Sequence, residues 1–360
     1  MDFPSIRHLR QLQGPILLTG HTGFKGVWMT LLLEEMGIRV VGFSHPPQKS
    51  SLFERMSRTG AITEIFADIR DYDELNKFID AERPSAVIHM AAQPLVLESY
   101  NKPRETFEVN VMGTVNLLSC AFDKDFIKSI IVVTTDKVYR NNNSGHSFIE
   151  TDPLEGRDPY SSSKVGTESA ISSWQQIAKV SGGPKVVSVR AGNVIGGGDF
   201  ASNRIIPDLI RGYLSDTPAV IRNPNSSRPW QHVLDPIYGY ILALEATLND
   251  LEIVRVNFGP TSKSLPVSEI MKVAQETLGI EAVTVVDTQN EFLQIQSESK
   301  SLDLDSSYAN KYLSWSPCWD QKSAIVATFE WWKNVLNLKC SPQEATKNDI
   351  NKLAKFVRDK

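Results

Sequence analysis

At 360 residues, with 41% hydrophobic and 22% charged residues and no low-complexity tract, the chain can bury a large core and has the composition of an ordinary soluble enzyme. A formal net charge of -4 removes the electrostatic case for nucleic acid or an anionic membrane surface, so any anionic ligand has to be held locally. No apolar run approaches the ~20 residues of a membrane span and residues 1–14 lack an apolar signal core, which makes a cytoplasmic enzyme the expectation. Cys120, Cys318 and Cys340 are far apart, with no CxxC and no histidine at metal spacing. They read as reduced packing residues, and no metal site is expected.

The first apolar run, Pro15 to Thr19, ends in Gly20, His21, Thr22, Gly23, Phe24, Lys25 and Gly26; a helical pattern from Val27 to Met36 and a strand from Arg39 to Phe43 follow. Strand, glycine turn, helix, strand is the context that makes a glycine motif a dinucleotide site. Glycines let the backbone approach a pyrophosphate, and the helix N-terminus presents free amides and partial positive charge. The second strand ends without the acidic residue that would receive an unphosphorylated ribose, and Lys25 would suit a 2'-phosphate. A cofactor recycled in place needs no particular redox pool, so both NAD and NADP stay open on the residues alone.

Alternation continues with a strand near Glu64 to Ala67, a helix from Tyr72 to Glu82, a strand from Ala86 to His89, a long helix from about Arg104 to Ala121 and a strand from Ser129 to Thr134. This predicts an α/β fold, a Rossmann-type doubly wound parallel sheet with ligands at the carboxyl ends of its strands. Polar residues fall at those ends: Asp68, then Ala91, Ala92 and Gln93, then Thr135, Asp136 and Lys137.

Next comes Pro159, Tyr160, Ser161, Ser162, Ser163, Lys164. With Asp158 as N-cap and Pro159 as the first helical residue, Tyr160 and Lys164 project from one face of the first turns. The lysine ammonium is expected to favour phenolate, bringing a pKa that starts near ~10 toward the range of a general base.

A sixth strand, Val186 to Arg190, enters Ala191, Gly192, Asn193 and a triple glycine at 196–198; Pro207, Pro218, Pro224 and Pro229 then punctuate shorter elements. The expected division is a nucleotide-binding part over 1–190 with returns near 232–258, a smaller interleaved C-terminal substrate domain over 191–340, and 341–360 as a loosely docked helix or a tail without assigned function. His232 reads as packed, and Trp315, Trp319, Trp331 and Trp332 as core.

Taken together, the glycine turn, Asn110 in the run 110–114, Thr135 with Asp136, and Tyr160 with Lys164 resemble the extended short-chain dehydrogenase/reductases, in their NAD-dependent epimerase/dehydratase group. More narrowly, GHTGFKG, DIRD at 68–71, MAAQPLV at 90–96, NVMGTV at 110–115, DPYSSSK at 158–164, RAGNVIGGGD at 190–199 and RPWQHV at 228–233 resemble the CDP-glucose 4,6-dehydratases. The likeness spans about residues 14–335.

That resemblance implies NAD as cofactor, a nucleotide sugar as substrate and a homodimer. It implies cofactor contacts from Gly20, Thr22, Gly23, Phe24, Lys25, Gly26, Asp68, Ile69, Ala91, Ala92, Gln93, Asn110, Tyr160 and Lys164, with Asp68 and Ile69 beside the adenine. Substrate contacts are implied for Gln93, Asn193 and Arg228, with Arg204 and Arg222 weaker candidates. Chemically, loss of water across C5 and C6 of a hexose requires a transient ketone at C4, because only that ketone acidifies the C5 proton. Tyr160 is the expected base for O4, Lys164 its support, Thr135 a hydrogen-bond partner of O4, and Asp136 with Lys137 the second acid/base pair. For that role Lys137 must be neutral and Asp136 protonated. The segment Gln294 to Lys300 departs from the His- and Tyr-containing pattern expected there in this group.

Overall fold

The computed structural model describes residues 3–360 apart from 222, 223, 225, 281 and 285–301. Arg222 and the Gln294 to Lys300 segment therefore lie outside the described residues.

Seven parallel strands form the central sheet: β1 (Ile16–Thr19), β2 (Val40–Ser44), β3 (Thr63–Phe66), β4 (Ala86–His89), β5 (Ser129–Val133), β6 (Lys185–Ala191) and β7 (Arg255–Phe258). Their order is β7-β6-β5-β4-β1-β2-β3. β1, β4 and β5 are buried at every position, which is why they read as continuous apolar runs: a sheet covered on both faces has no solvated side to alternate toward. Chain progression reverses between β1 and β4, and the crevice at the carboxyl ends of those strands is where an open α/β sheet holds its ligand.

The pleat divides the core. Ile16, Leu18, Ile88 and Ile131 pack with helix α1 (Phe24–Glu35) and the helix Leu234–Leu248 on one face. Leu17, Val87, Ile130 and Val132 pack with Leu75 and Ile79 of Tyr72–Glu82, Leu117 and Leu118 of Gly113–Phe122, and Ile171 of Pro159–Ser181 on the other.

The segment expected as one helix from Arg104 is helical in three pieces: Pro103–Phe107, a π-helical turn at Glu108–Met112, and Gly113–Phe122. Asn110 sits inside the π turn, and its carbonyl accepts from Thr114 Oγ1 at 2.7 Å and Thr167 Oγ1 at 2.8 Å. The widened turn thereby frees a backbone group for the neighbouring helix, a common device at functional positions.

Beyond β6 the smaller C-terminal part is built from short pairings, such as Ser227–Arg228 antiparallel to Leu265–Pro266 and Gln231–His232 parallel to Val194–Ile195. Trp315, Trp319, Trp331 and Trp332 are all buried, and His232 lies packed with its ring 4.2 Å from that of Trp319. The terminal segment is a docked helix, Pro342–Arg358, opened by Ser341 and Glu344 in a reciprocal capping box. Its Trp331 contact through Thr346 and its Lys347–Glu35 ion pair at 2.8 Å attach it to the helix Gln321–Leu336 and to α1. Among the described residues no helix is long and apolar enough to cross a membrane.

Candidate active site

The glycine turn is shaped for close approach. Gly20 has φ +75°, and a Cβ there would stand 2.8 Å from the Ala91 amide nitrogen; at Gly26 it would stand 2.2 Å from the Gly20 carbonyl oxygen. Gly23 is the N-cap of α1, so the first amides of that helix point out at the strand ends. Thr22 anchors the turn to the end of β2 through Ser44 Oγ at 2.7 Å and the His45 carbonyl at 3.0 Å. These features fit a pyrophosphate, whose oxygens take backbone N–H groups and tolerate no side chain between. His21, which motif reading left without a role, is buried and bonded to Glu64 Oε2 at 2.7 Å; its ring occupies the space a side chain at Gly42 would need.

No acid stands at the end of β2, but Asp68 follows closely on the end of β3. Asp68 Oδ2 lies 3.3 Å from His45 Nε2, and both Asp68 oxygens accept from the Arg70 fork. Burial opposes ionisation of Asp68, yet the Arg70 hydrogen bonds and charge hold its carboxyl below the usual range. Ile69 is buried against Gly113, where a Cβ would meet its Cγ2 at 2.6 Å.

After β4, Ala91 N donates to Thr19 Oγ1 at 3.1 Å, and Ala92 continues the same loop. Gln93 is turned into its own loop: its side-chain amide donates to the Leu95 carbonyl and Thr106, and its oxygen accepts from Leu95 N at 2.6 Å. Asn110 completes this clamp, accepting from Gln93 N at 2.8 Å and donating to Ser163 Oγ at 2.9 Å. The Gln93 side chain thus shapes the loop that opposes the Tyr160 helix.

That helix, Pro159–Ser181, begins where the sequence places it. Asp158 accepts from Ser161 N at 2.9 Å, and Ser161 reciprocates with the Asp158 amide in a capping box. Tyr160 and Lys164 are both buried on its first turns. One expectation fails here. Tyr160 is pushed up to about 12 by burial, against a smaller opposing effect of its hydrogen-bond contact with Thr135. Lys164 donates to the Val133 carbonyl at 3.2 Å and is itself pushed down to about 7, by burial and then by the charge of Lys25. A lysine that holds its own proton weakly is a weak source of positive field, and desolvation of the phenolate dominates.

Thr135 caps the short turn Asp136–Val138 and joins the two halves of the site. Its hydroxyl donates to Asp136 Oδ1 at 2.9 Å, accepts from Lys137 N at 3.3 Å and engages the Tyr160 phenol. Asp136 is buried, and burial raises its pKa against the attraction of Lys137 and Arg228. Its carboxyl faces Gly192, where a Cβ would stand 2.9 Å from Oδ2. Lys137 is half-buried beside it.

Arg228 is buried and donates to the Ser227 carbonyl at 2.8 Å, while Arg204 pairs with Asp199 at 3.1 Å. Asn193 is half-buried in the loop after β6, its carbonyl accepting from Gln231 N at 3.0 Å. Lys25 does not point toward the end of β2, where a 2'-phosphate would lie. It is half-buried near Arg204, Asp136 and Lys164, and burial of its ammonium followed by the Arg204 charge pushes it down to about 8.

Behind the site runs a buried network that motif reading missed. Glu168, one turn beyond Lys164, takes two hydrogen bonds from Arg190 at 2.8 Å each and one from Thr134 at 2.6 Å. Arg190 also donates to Tyr139 Oη at 2.7 Å, and Tyr139 donates to Asn257 at 2.8 Å. The network joins the ends of β5, β6 and β7 to the Tyr160 helix. The signal was present in the spacing of Glu168 from Lys164, but its partner is 22 residues away in another element.

The fold and this site define a dinucleotide-dependent enzyme of the short-chain type, and comparison with known proteins narrows the class. Residues 16–258 match the NAD dependent epimerase/dehydratase family, and the chain belongs to it. It is 38% identical over 342 residues to CDP-glucose 4,6-dehydratase of Salmonella typhimurium, covering 91% of this chain and 94% of that protein. It is 29% identical over 291 residues to UDP-glucose 4-epimerase 3 of Oryza sativa subsp. japonica, covering 73% and 76%. Among solved structures, dTDP-glucose 4,6-dehydratase DesIV from Streptomyces venezuelae, with NAD and TYD bound, superposes with a TM-score of 0.76 at 21% identity over 90% of this chain and 98% of that one. The shared architecture is the Rossmann-type sheet with its smaller C-terminal domain.

Proposed function

We propose that this chain is a sugar-nucleotide 4,6-dehydratase that converts CDP-glucose to CDP-4-dehydro-6-deoxyglucose and water. The observation that carries the reading is the buried carboxyl of Asp136, bridged by the Thr135 hydroxyl to Tyr160. An acid that burial pushes toward its protonated form, beside a base for O4, is what elimination requires and simple alcohol oxidation does not. The 38% relative, itself a CDP-glucose 4,6-dehydratase, supports the choice of sugar and base.

The cofactor is NAD, cradled by Gly20 to Gly26, with Asp68 and Ile69 at the adenosine end. When bound, it would supply the acceptor for a hydride from C4 and the source of the same hydride for C6, so none would be consumed. The protein's own residues do the rest. Tyr160 takes the O4 proton, Lys164 is placed to hold the ribose, and Thr135 holds O4 in line. Lys137 removes the C5 proton and returns it to C5 once the hydride has reached C6, while Asp136 protonates the departing C6 hydroxyl, which leaves as water; the O4 proton taken up by Tyr160 balances the one that Asp136 gives away. Arg228, with Asn193 and Arg204, receives the diphosphate and sugar. In this reading 1–190, with returns near 232–258, serve the cofactor and most of 191–340 the substrate. Exposed Phe107 and Met112 beside the Tyr160 helix offer a face for a second copy of the chain, in a homodimer that light scattering tests.

The deciding experiment is mass spectrometry of purified protein with CDP-, dTDP-, GDP- and UDP-glucose. Loss of one water from CDP-glucose alone is expected. The second reading, a dehydratase or epimerase for another nucleotide sugar, draws on the UDP-glucose 4-epimerase and dTDP-glucose 4,6-dehydratase relatives and wins if another member of the panel is turned over instead.

A further inference from the structure

Lys25 is the second residue of α1, in the turn that fits a pyrophosphate, and such a turn grips phosphate through backbone amides. Its side chain is left for another task. Lys25 is half-buried, and among the described residues its ammonium forms no hydrogen bond or ion pair; Nζ lies over the ring of Tyr240, 5.9 Å from the centroid. Arg204 and Lys164 repel its charge, and Asp136 attracts it. A methionine would fill the same place without the cost of a partly desolvated cation beside two others.

The course of the side chain gives the task. It starts where the dinucleotide phosphates are held, and its charge is felt at Lys164 and Asp136, beside the Tyr160 phenol where hydride changes hands. A nicotinamide ring is tied to those phosphates by a single ribose and has to reach Tyr160. Ring and side chain therefore share both ends of their path. The oxidised ring carries a positive charge and the reduced ring carries none. A fixed ammonium raises the energy of the oxidised form, and it does so more strongly in a half-buried cleft than in water. When hydride leaves C4, two electrons go to the ring and the O4 proton goes to Tyr160. The ring's charge disappears, which is the change that Lys25 favours.

We propose that Lys25 tunes the cofactor electrostatically, its ammonium favouring the reduced nicotinamide over the oxidised one and so holding the C4 ketone in being until water has left. The inference rests on the dinucleotide reading and is independent of which sugar is the substrate.

The test is the ratio of the Kd for NAD+ to the Kd for NADH, measured by calorimetry for wild type, Lys25→Met, Lys25→Gln and Lys25→Arg. It is run at about pH 7, below the value of about 8 to which Lys25 falls, so that the wild-type ammonium is mostly charged. Both nucleotides carry the same phosphates, riboses and adenine, so any contact with those groups cancels in the ratio. The two neutral variants are expected to lower the ratio about tenfold, a fall of about 30 mV in the potential of the bound couple, and Lys25→Arg to keep it within about threefold of wild type. An unchanged ratio in the neutral variants overturns the proposal, and if both affinities drop alike it assigns Lys25 to the phosphates. A ratio that falls as far in Lys25→Arg overturns it by making shape, not charge, the cause. Loss of cooperative thermal unfolding in both neutral variants overturns it by making Lys25 structural. If the wild-type chain binds both nucleotides and the ratio does not move, the Lys25 role falls alone; if it binds neither, the cofactor reading falls and takes this inference with it.

Discussion

The two halves of the site are held in different ways. Tyr160 and Lys164 stand on a 23-residue helix fixed at its start by a capping box and a proline, all within seven residues of sequence. Asp136 and Lys137 stand on a three-residue turn with one side-chain cap, and their surroundings come from afar: Gly192 and Arg228, with Glu168 and Arg190 behind. The oxidising half is thus a product of local backbone physics. The eliminating half depends on tertiary contacts.

Removing the oxidising base tests the first half most severely. Tyr160→Phe should lower turnover of the productive nucleotide sugar by about 10²–10⁴, the range for loss of a positioned general base, while NADH affinity stays within a few fold. The ring keeps its place in the core, and its amide still donates to Ser99 Oγ at 3.1 Å. Turnover within tenfold of wild type would remove Tyr160 from the chemistry.

The eliminating half answers differently. Asp136→Asn preserves shape and the Thr135 contact but cannot donate an acidic proton, so oxidation at C4 should outrun water loss. Net turnover should fall by about 10²–10³, and reduced nicotinamide should build up in single-turnover absorbance traces. A fall in rate with no such build-up would assign Asp136 to the oxidation step and erase the division between the halves.

The same contrast explains what the sequence made legible. The strands, the glycine turn and the Asp158 cap are written in neighbouring residues, and they appear within a residue or two of where periodicity and capping place them. The terminal segment reads in sequence as a loosely docked helix or a tail; the start signal of Ser341, Pro342 and Glu344 goes unread there, and its docking through Lys347 to Glu35 is not written in neighbouring residues. The orientation of Lys25, the inward turn of the Gln93 side chain and the pairing of Glu168 with Arg190 are set by residues far away in sequence. Nor could spacing give the high pKa of Tyr160, because burial is a property of the folded chain.

A third experiment separates tertiary support from chemistry. Burial works against ionisation of Glu168, but the hydrogen bonds and charge of Arg190 hold its carboxyl low. Arg190→Met strands that carboxylate and should cost about 3–5 kcal/mol in urea unfolding. Replacing both members, with Glu168→Leu, should recover much of the loss, because a hydrophobic pair substitutes well for a buried ion pair. If activity fails to return with stability in the double variant, the network also sets the register of Thr135 against Tyr160. If it returns fully, the pair serves stability alone.

The smallest effect is a pair of opposed pH slopes. Lys164, ordinarily at 10.5 and about 7 in the fold, is protonated in the unfolded chain but not in the folded one across that window. Unfolding then takes up a proton, so this residue makes stability rise with pH from about 7 toward 10.5. Lys25, at about 8, adds in the same sense over a narrower range. Asp136 does the reverse: its folded pKa is raised above 3.8, the folded chain holds a proton that the unfolded chain releases, and stability falls as pH climbs through that raised value. Urea midpoints measured between about pH 6 and about pH 9 should therefore rise less steeply for Lys164→Met than for wild type. Above about pH 4, where the unfolded carboxyl ionises, Asp136→Asn should remove the decline that this residue contributes. Parallel slopes in all three proteins would mean that neither group changes protonation on folding. The helix and the turn would then differ in how they are held but not in how they handle protons, and the assignment of base to one and acid to the other would lose its electrostatic ground.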